Sequence, residues 1–116
     1  MKTEIIKCED IKSRHHCCTL VYGHFTTIHA GHIRYLNYAK KLGKKLIVSL
    51  IADLDENGRN KYAFSQKERA EALSFLSIAD TILLMGQEQL EDVIELLKPK
   101  IIVLGKEYEN TKDQNI

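Results

Sequence analysis

Residues 19–51 read TLVYGHFTTIHAGHIRYLNYAKKLGKKLIVSLI, and the order of patterns inside that stretch decides the fold. Thr19 to Tyr22 is a short β-favouring apolar run that stops at Gly23, which reads as a strand. From His32 to Leu42, Ile33, Leu36, Ala39 and Leu42 recur at helical spacing with Tyr35 and Tyr38 beside them, and Lys40, Lys41 and then Gly43 mark the helix end. Leu46 to Ile51 is near-continuously apolar without alternation, as suits a strand covered on both faces of a parallel sheet. Strand, helix, strand is a βαβ unit. It leaves GHFTTIHAGH, residues 23–32, at the carboxyl end of its first strand.

The alternation continues downstream. After the polar stretch ADLDENGRNKYAF, Ser65-Gln66-Lys67-Glu68 has the spacing of a capping box, which predicts a helix running to about Leu76. Thr81 to Met85 reads as a third strand. Leu90, Val93, Ile94 and Leu97 form an i, i+3, i+4, i+7 stripe, and Pro99 ends that helix before a fourth strand, Ile101 to Leu104. Four strands alternating with three helices predict an α/β fold: a Rossmann-like open parallel sheet with right-handed crossovers and helices on both faces. The tail after Gly105, KEYENTKDQNI, is polar and expected to be loose at its end.

Composition narrows the remaining choices. A chain of 116 residues fits one domain, and 44% hydrophobic with 28% charged residues excludes global disorder. Seventeen basic against sixteen acidic side chains leave a formal net charge of +1, so no whole-protein field attracts nucleic acid or an anionic membrane; any anion must be held locally. No run approaches the roughly 18 apolar residues of a membrane span, and MKTEIIKCED lacks the apolar core of a signal peptide, which makes a cytoplasmic protein the expectation. Three cysteines, two of them the adjacent Cys17 and Cys18, are a poor basis for a disulfide framework, so reduced thiols are expected.

In an open parallel sheet, ligands bind where loops and helix N-termini converge at the carboxyl ends of the strands. The amides of a helix opening near Gly31 and His32 make a seat for phosphate there, and Gly23 and Gly31 let the backbone approach it. His29 and His32 stand three apart, so within one helical turn they share a face and can donate to the same phosphate oxygens. Other readings stay open. His24 has the standing of a solvated loop side chain, and a metal bound by His29 and His32 lacks third and fourth ligands. His15-His16-Cys17-Cys18 cannot all converge on one ion, and reads more simply as a strand approach. Lys44 and Lys45 read as solvated linker charges. Lys61 and Arg69 fall in or after the loop leaving the second strand, where cations meet phosphates, although surface charge and an i, i+4 helix pair is the plainer alternative. Gly105 follows the fourth strand directly, as a turn residue or as a point of backbone recognition of a base or ribose.

Together these residues resemble the nucleotidyltransferase superfamily whose signature is HxGH, present as His29-Ala30-Gly31-His32. The likeness extends from Thr19 to Tyr108: the strand–loop–helix–strand block, SQKERAEALSFLSIADTILL as the next helix and strand, and PKIIVLGKEY as the fourth strand with its glycine. It is nearest to the glycerol-phosphate cytidylyltransferase and ADP-heptose synthase (adenylyltransferase) branch. The resemblance implies transfer of CMP or AMP from CTP or ATP, carried with Mg²⁺, to a sugar- or polyol-phosphate, with release of pyrophosphate. By the same analogy His29 and His32 stabilise the pentavalent transition state. Gly23, His24, Phe25 and Thr26 with Gly31 pack against the nucleotide phosphates, Lys61 and Arg69 contact substrate or triphosphate, and Gly105 helps hold the nucleoside. No resident metal site is implied, and the resemblance admits a homodimer.

Two departures qualify that likeness. Where the branch has GxFDxxHxGH, this chain has Thr26 in place of the Asp. The resemblance finds no counterpart after Tyr108 for the Ser/Thr-rich second signature that grips the β- and γ-phosphates, which leaves open a fold lacking the family's last elements. Three alternatives follow: a fragment of a longer protein, a missing piece supplied by a partner, or a nucleotide-binding module without catalysis. An unrelated Rossmann-like fold with a chance HAGH is a further one.

Overall fold

The computed structural model describes residues 3–11, 18–23, 25, 30–43, 45–52 and 65–104. Its elements are β1 (Glu4–Lys7), a 3₁₀ turn over Cys8–Asp10, β2 (Cys18–Gly23), α1 (Ala30–Leu42), β3 (Lys45–Leu50), α2 (Gln66–Phe75), β4 (Thr81–Leu84), α3 (Leu90–Leu97) and β5 (Ile101–Leu104). The strands form one sheet in the order β1-β4-β3-β2-β5, with every neighbouring pair parallel. This is the expected α/β architecture with one strand more than expected. β1 adds to the outer edge of β4, pairing Ile5 with Ile82 and Ile6 with Leu83. Its four residues, EIIK, carry only two apolar side chains between charged ones, too short a pattern to separate from a loop.

Both faces of the sheet are covered because both faces are apolar. Val21 of β2, Leu46, Val48 and Leu50 of β3 and Ile82 of β4 pack with Leu36 and Ala39 of α1 and Ala70 and Leu73 of α2. The residues between them in the strands, Leu20, Ile47 and Leu83, face the other way and meet Val93 and Leu97 of α3. The uninterrupted apolar run in β3 is thereby explained: alternate side chains serve two different layers. Each fully buried Leu, Ile or Val in these layers contributes roughly 1.5–3 kcal/mol.

Helix ends follow local chemistry. At α2 the box closes as its spacing predicted, with Glu68 N donating to Ser65 Oγ and Ser65 N donating to Glu68 Oε1, both at 3.1 Å. α3 starts with Gln89 N donating to Asp92 Oδ2 at 2.9 Å and stops at Lys98, whose φ of 51° turns the chain into Pro99. α1 opens two residues earlier than its apolar stripe suggested, at Ala30, which places His32 within the first turn.

The amino ends of the central strands are pinned by Asp80. Its Oδ2 accepts from Lys40 Nζ at 2.5 Å and from the Leu46 amide at 2.7 Å, while its own amide donates to the Leu46 carbonyl at 2.9 Å. One carboxylate thus joins the last turn of α1 to the start of β3. Burial raises its pKa, but the Lys40 hydrogen bond, the Leu46 amide and the Lys40 and Lys45 charges outweigh that, and the net shift is downward. A depressed carboxyl pKa contributes stability that is complete above the unfolded-state value of about 3.9 and lost as pH falls through the folded value. Asp80→Ala is therefore expected to lower unfolding stability by about 1.5–3 kcal/mol at neutral pH, and the gap from wild type should close below about pH 4. Urea unfolding across pH 3–8 measures both; a gap independent of pH would refute the assignment.

Candidate active site

The chain leaves β2 toward β3 and β4 on one side, then crosses back through α3 to lay β5 on the other side. The point of reversal is therefore the carboxyl end of the β2–β5 pair, which is where an open parallel sheet opens a crevice. Gly23 is the last residue of β2 and is buried; its carbonyl accepts from the Ile51 amide at 3.1 Å, carrying the β2–β3 ladder one step past the strand end. Phe25 follows with a φ of 49° and a buried ring. Gly31 and His32 lie in the first turn of α1, both half-buried, and the His32 imidazole meets the Phe25 ring at a centroid distance of 5.4 Å. One turn further, Tyr35 donates its hydroxyl to the Val103 carbonyl of β5 at 2.7 Å, so α1 is anchored across the reversal point.

Of the residues assigned from sequence, the structure thus gathers Gly23, Phe25, Gly31 and His32 at one strand end. His24, Thr26, His29, Lys61 and Gly105 lie outside the described residues, as do His15, His16, Cys17 and Lys44. Arg69 is described and is not on the surface. It is 2% exposed within α2, and its Nη2 donates to the Ile51 carbonyl at 2.9 Å, just past the carboxyl end of β3. No group of three or more His, Cys, Asp or Glu able to hold a metal ion occurs among the described residues. Among them, too, no helix is long and apolar enough to cross a membrane.

Sequence reasoning missed two features of this end of the sheet. Gln66, inside the capping box, donates through Nε2 to the Leu50 carbonyl at 3.0 Å and to the Met85 carbonyl at 2.8 Å, tying together the tips of β3 and β4. Nothing local marks a glutamine for that task, since it depends on two strand ends becoming neighbours. The second is a cavity of about 410 Å³ at the tips of β1 and β4, lined by Lys7, Glu9, Gln66, Lys67, Met85 and Glu88 among others. It exists because β1 adds to the edge. Beside it Cys8 is buried, and burial first, then the charge and hydrogen bond of Glu88, push its thiol up to about 11; neither Cys8 nor Cys18 forms a disulfide.

A parallel sheet that reverses at β2, with a glycine at the strand tip and an imidazole in the first turn of the following helix, defines a Rossmann-like α/β protein with its crevice over the β2–β5 ends. The chain belongs to the cytidylyltransferase-like family, a nucleotidyltransferase family, whose sequence model matches residues 20–116. The bifunctional protein HldE of Campylobacter fetus subsp. fetus is 35% identical over 99 residues, covering 81% of this chain and 22% of that protein. HldE of Helicobacter pylori (strain J99) is 37% identical over 91 residues, covering 76% and 20%. The chain therefore spans about a fifth of the length of these curated relatives. Among solved structures, the lipopolysaccharide core biosynthesis protein from Thermoplasma volcanium GSS1 superposes with a TM-score of 0.63 at 31% identity, covering 85% of this chain and 86% of that one. The expected family is thereby shown, as is the fold. Nucleoside triphosphates are the family's substrates, and sugar phosphates are typical acceptors.

Proposed function

We propose that this chain transfers CMP or AMP from CTP or ATP to the phosphate of a small sugar or polyol. An oxygen of the acceptor phosphate attacks the α-phosphorus in line, the bond from that phosphorus to the oxygen bridging to the β-phosphate breaks, and pyrophosphate leaves. Mg²⁺ enters with the triphosphate as part of the substrate. The protein needs little covalent chemistry for this, so positioning and charge stabilisation carry the rate.

The observation that carries the proposal is His32 in the first turn of α1, above the tip of β2 and beside the reversal point, in a chain of this family. There the imidazole and the first-turn amides would act together on charge that builds in the transition state. His29 would donate from the residue just before the helix, and the backbone from Gly23 to Thr26 would pack against the phosphates. Arg69 brings a cation just past the carboxyl end of β3; Lys61, which follows β3 in sequence, and Gly105, directly after β5 in sequence, would meet a phosphate and the nucleoside. A carbohydrate phosphate is the favoured acceptor class, in keeping with a relative named for lipopolysaccharide core biosynthesis.

The test is pyrophosphate release from CTP and, separately, ATP in the presence of Mg²⁺ and a panel of sugar and polyol phosphates. Release that depends on both nucleotide and acceptor supports the reading, and no release with any pair defeats it. Thr26, standing where the resembling branch has Asp, favours a second reading in which nucleotide binds without turnover. Calorimetry showing saturable nucleotide binding by a chain that releases no pyrophosphate would select it.

A further inference from the structure

Phe25 has a φ of 49°, in the left-handed region that a bulky aromatic residue rarely occupies. Such a conformation persists only where the surroundings hold it, and it concentrates at functional sites. The holding contacts are visible here. The Phe25 ring is 6% exposed and belongs to the core under α1 and α2. A Cβ built on Gly23 would stand 3.0 Å from Phe25 Cε2, closer than ordinary van der Waals contact, so a side chain at the strand tip makes the ring give by a few tenths of an ångström. The same ring lies 5.4 Å from the His32 ring, centroid to centroid, inclined at 52°.

We propose that Phe25 is a positioning residue: seated on Gly23 and fixed by its left-handed backbone, its ring sets the orientation of the His32 imidazole and so the rate of turnover. The inference rests on His32 being the transition-state donor proposed above. It assigns the Phe25 side chain a role separate from the phosphate contacts of the loop backbone. An aliphatic side chain would supply the core with similar apolar volume. Only an aromatic ring makes a ring–ring contact with His32 while fitting over a strand tip without a Cβ. Gly23 then acts through Phe25, and a methyl group added at residue 23 reaches His32 by way of the ring.

The experiment uses the full chain and four variants: Phe25→Leu, Phe25→Tyr, Gly23→Ala, and Gly23→Ala combined with Phe25→Leu. Two readouts are taken: the NMR positions of the His32 ring protons without substrate, and kcat against KM for the nucleotide. Phe25→Leu should abolish the ring-current displacement of the His32 protons and lower kcat about 10- to 100-fold, as misplacement of a reacting group by about an ångström does. KM should hold, because the lost interaction belongs to the transition state. Gly23→Ala should move the same protons and kcat in the same direction. The double variant should be little worse than Phe25→Leu alone, since the added methyl group then has no ring to displace. Phe25→Tyr keeps the ring contact and should keep most of the rate.

Additive losses in the double variant, or His32 protons unmoved by Phe25→Leu, overturn the proposal. Should Phe25→Leu fail to fold, Gly23→Ala against wild type decides, because it keeps the ring and shifts it. If wild type itself shows no turnover, the proposed function fails on that result, while the His32 proton shifts still decide whether Phe25 positions the imidazole.

Discussion

His32→Ala is expected to lower kcat about 10²- to 10³-fold, the usual loss when one preorganised donor to a developing oxyanion is removed. The nucleotide KM should change little, because a contact made mainly in the transition state is absent from the ground-state complex. The fold should survive. His32 is half-buried on the first turn of α1, alanine is the best helix former, and the core under that helix is made by Leu36 and Ala39. Urea unfolding should show a loss of stability no larger than about 1.5 kcal/mol, the upper range for a single ring–ring contact such as that with Phe25. His29→Ala should act in the same direction, and the two together should fall short of the sum, because groups that act as a unit are not additive. A His32→Ala protein that keeps kcat within a few-fold of wild type would remove the central assignment.

The fold was legible because its signals are local and its topology is constrained. Six of the elements show in the sequence as an apolar run or a helical stripe, with Gly23, Gly43 and Pro99 among their boundaries, and alternation then leaves few arrangements open. α2 is the instructive one. Its buried positions are Arg69, Ala70 and Leu73, hardly an apolar stripe, and it was found through the Ser65–Glu68 box instead. β1 escaped for the converse reason. Its side chains are mostly exposed at the sheet edge, and what makes it a strand is the ladder to β4, a partner more than seventy residues away.

The site divides in the same way. The expectation of a phosphate-binding loop between Gly23 and an imidazole-bearing helix follows from strand, turn and helix signals within a dozen residues. What the side chains do there depends on neighbours that no window of sequence contains. Phe25 looked like one residue of a phosphate loop, yet its ring goes into the core and against His32. Gln66 lies inside a capping box whose spacing gives it no task, and it bridges two strand tips. The cavity at Lys7 and Glu9 could not be anticipated without β1.

Arg69→Ala should be the most destabilising of the single changes considered, at about 3 kcal/mol. The guanidinium is 2% exposed, so truncation opens a void inside the α2 layer and takes a charged donor from the Ile51 carbonyl it meets at 2.9 Å. Ile51 is the first residue past β3, so the same loss loosens the chain at that strand end. Arg69→Lys keeps a cation on a long stem but not the planar fork, and should recover only part of the stability. The two roles open to Arg69 separate by readout. If it acts by holding Ile51, Arg69→Ala moves the urea midpoint strongly, and at temperatures where the variant is folded its substrate KM stays within a few-fold of wild type. If it contacts a phosphate of the substrate, KM rises steeply while the midpoint barely moves. The burial and the carbonyl contact favour the first outcome, and an unchanged midpoint would refute it.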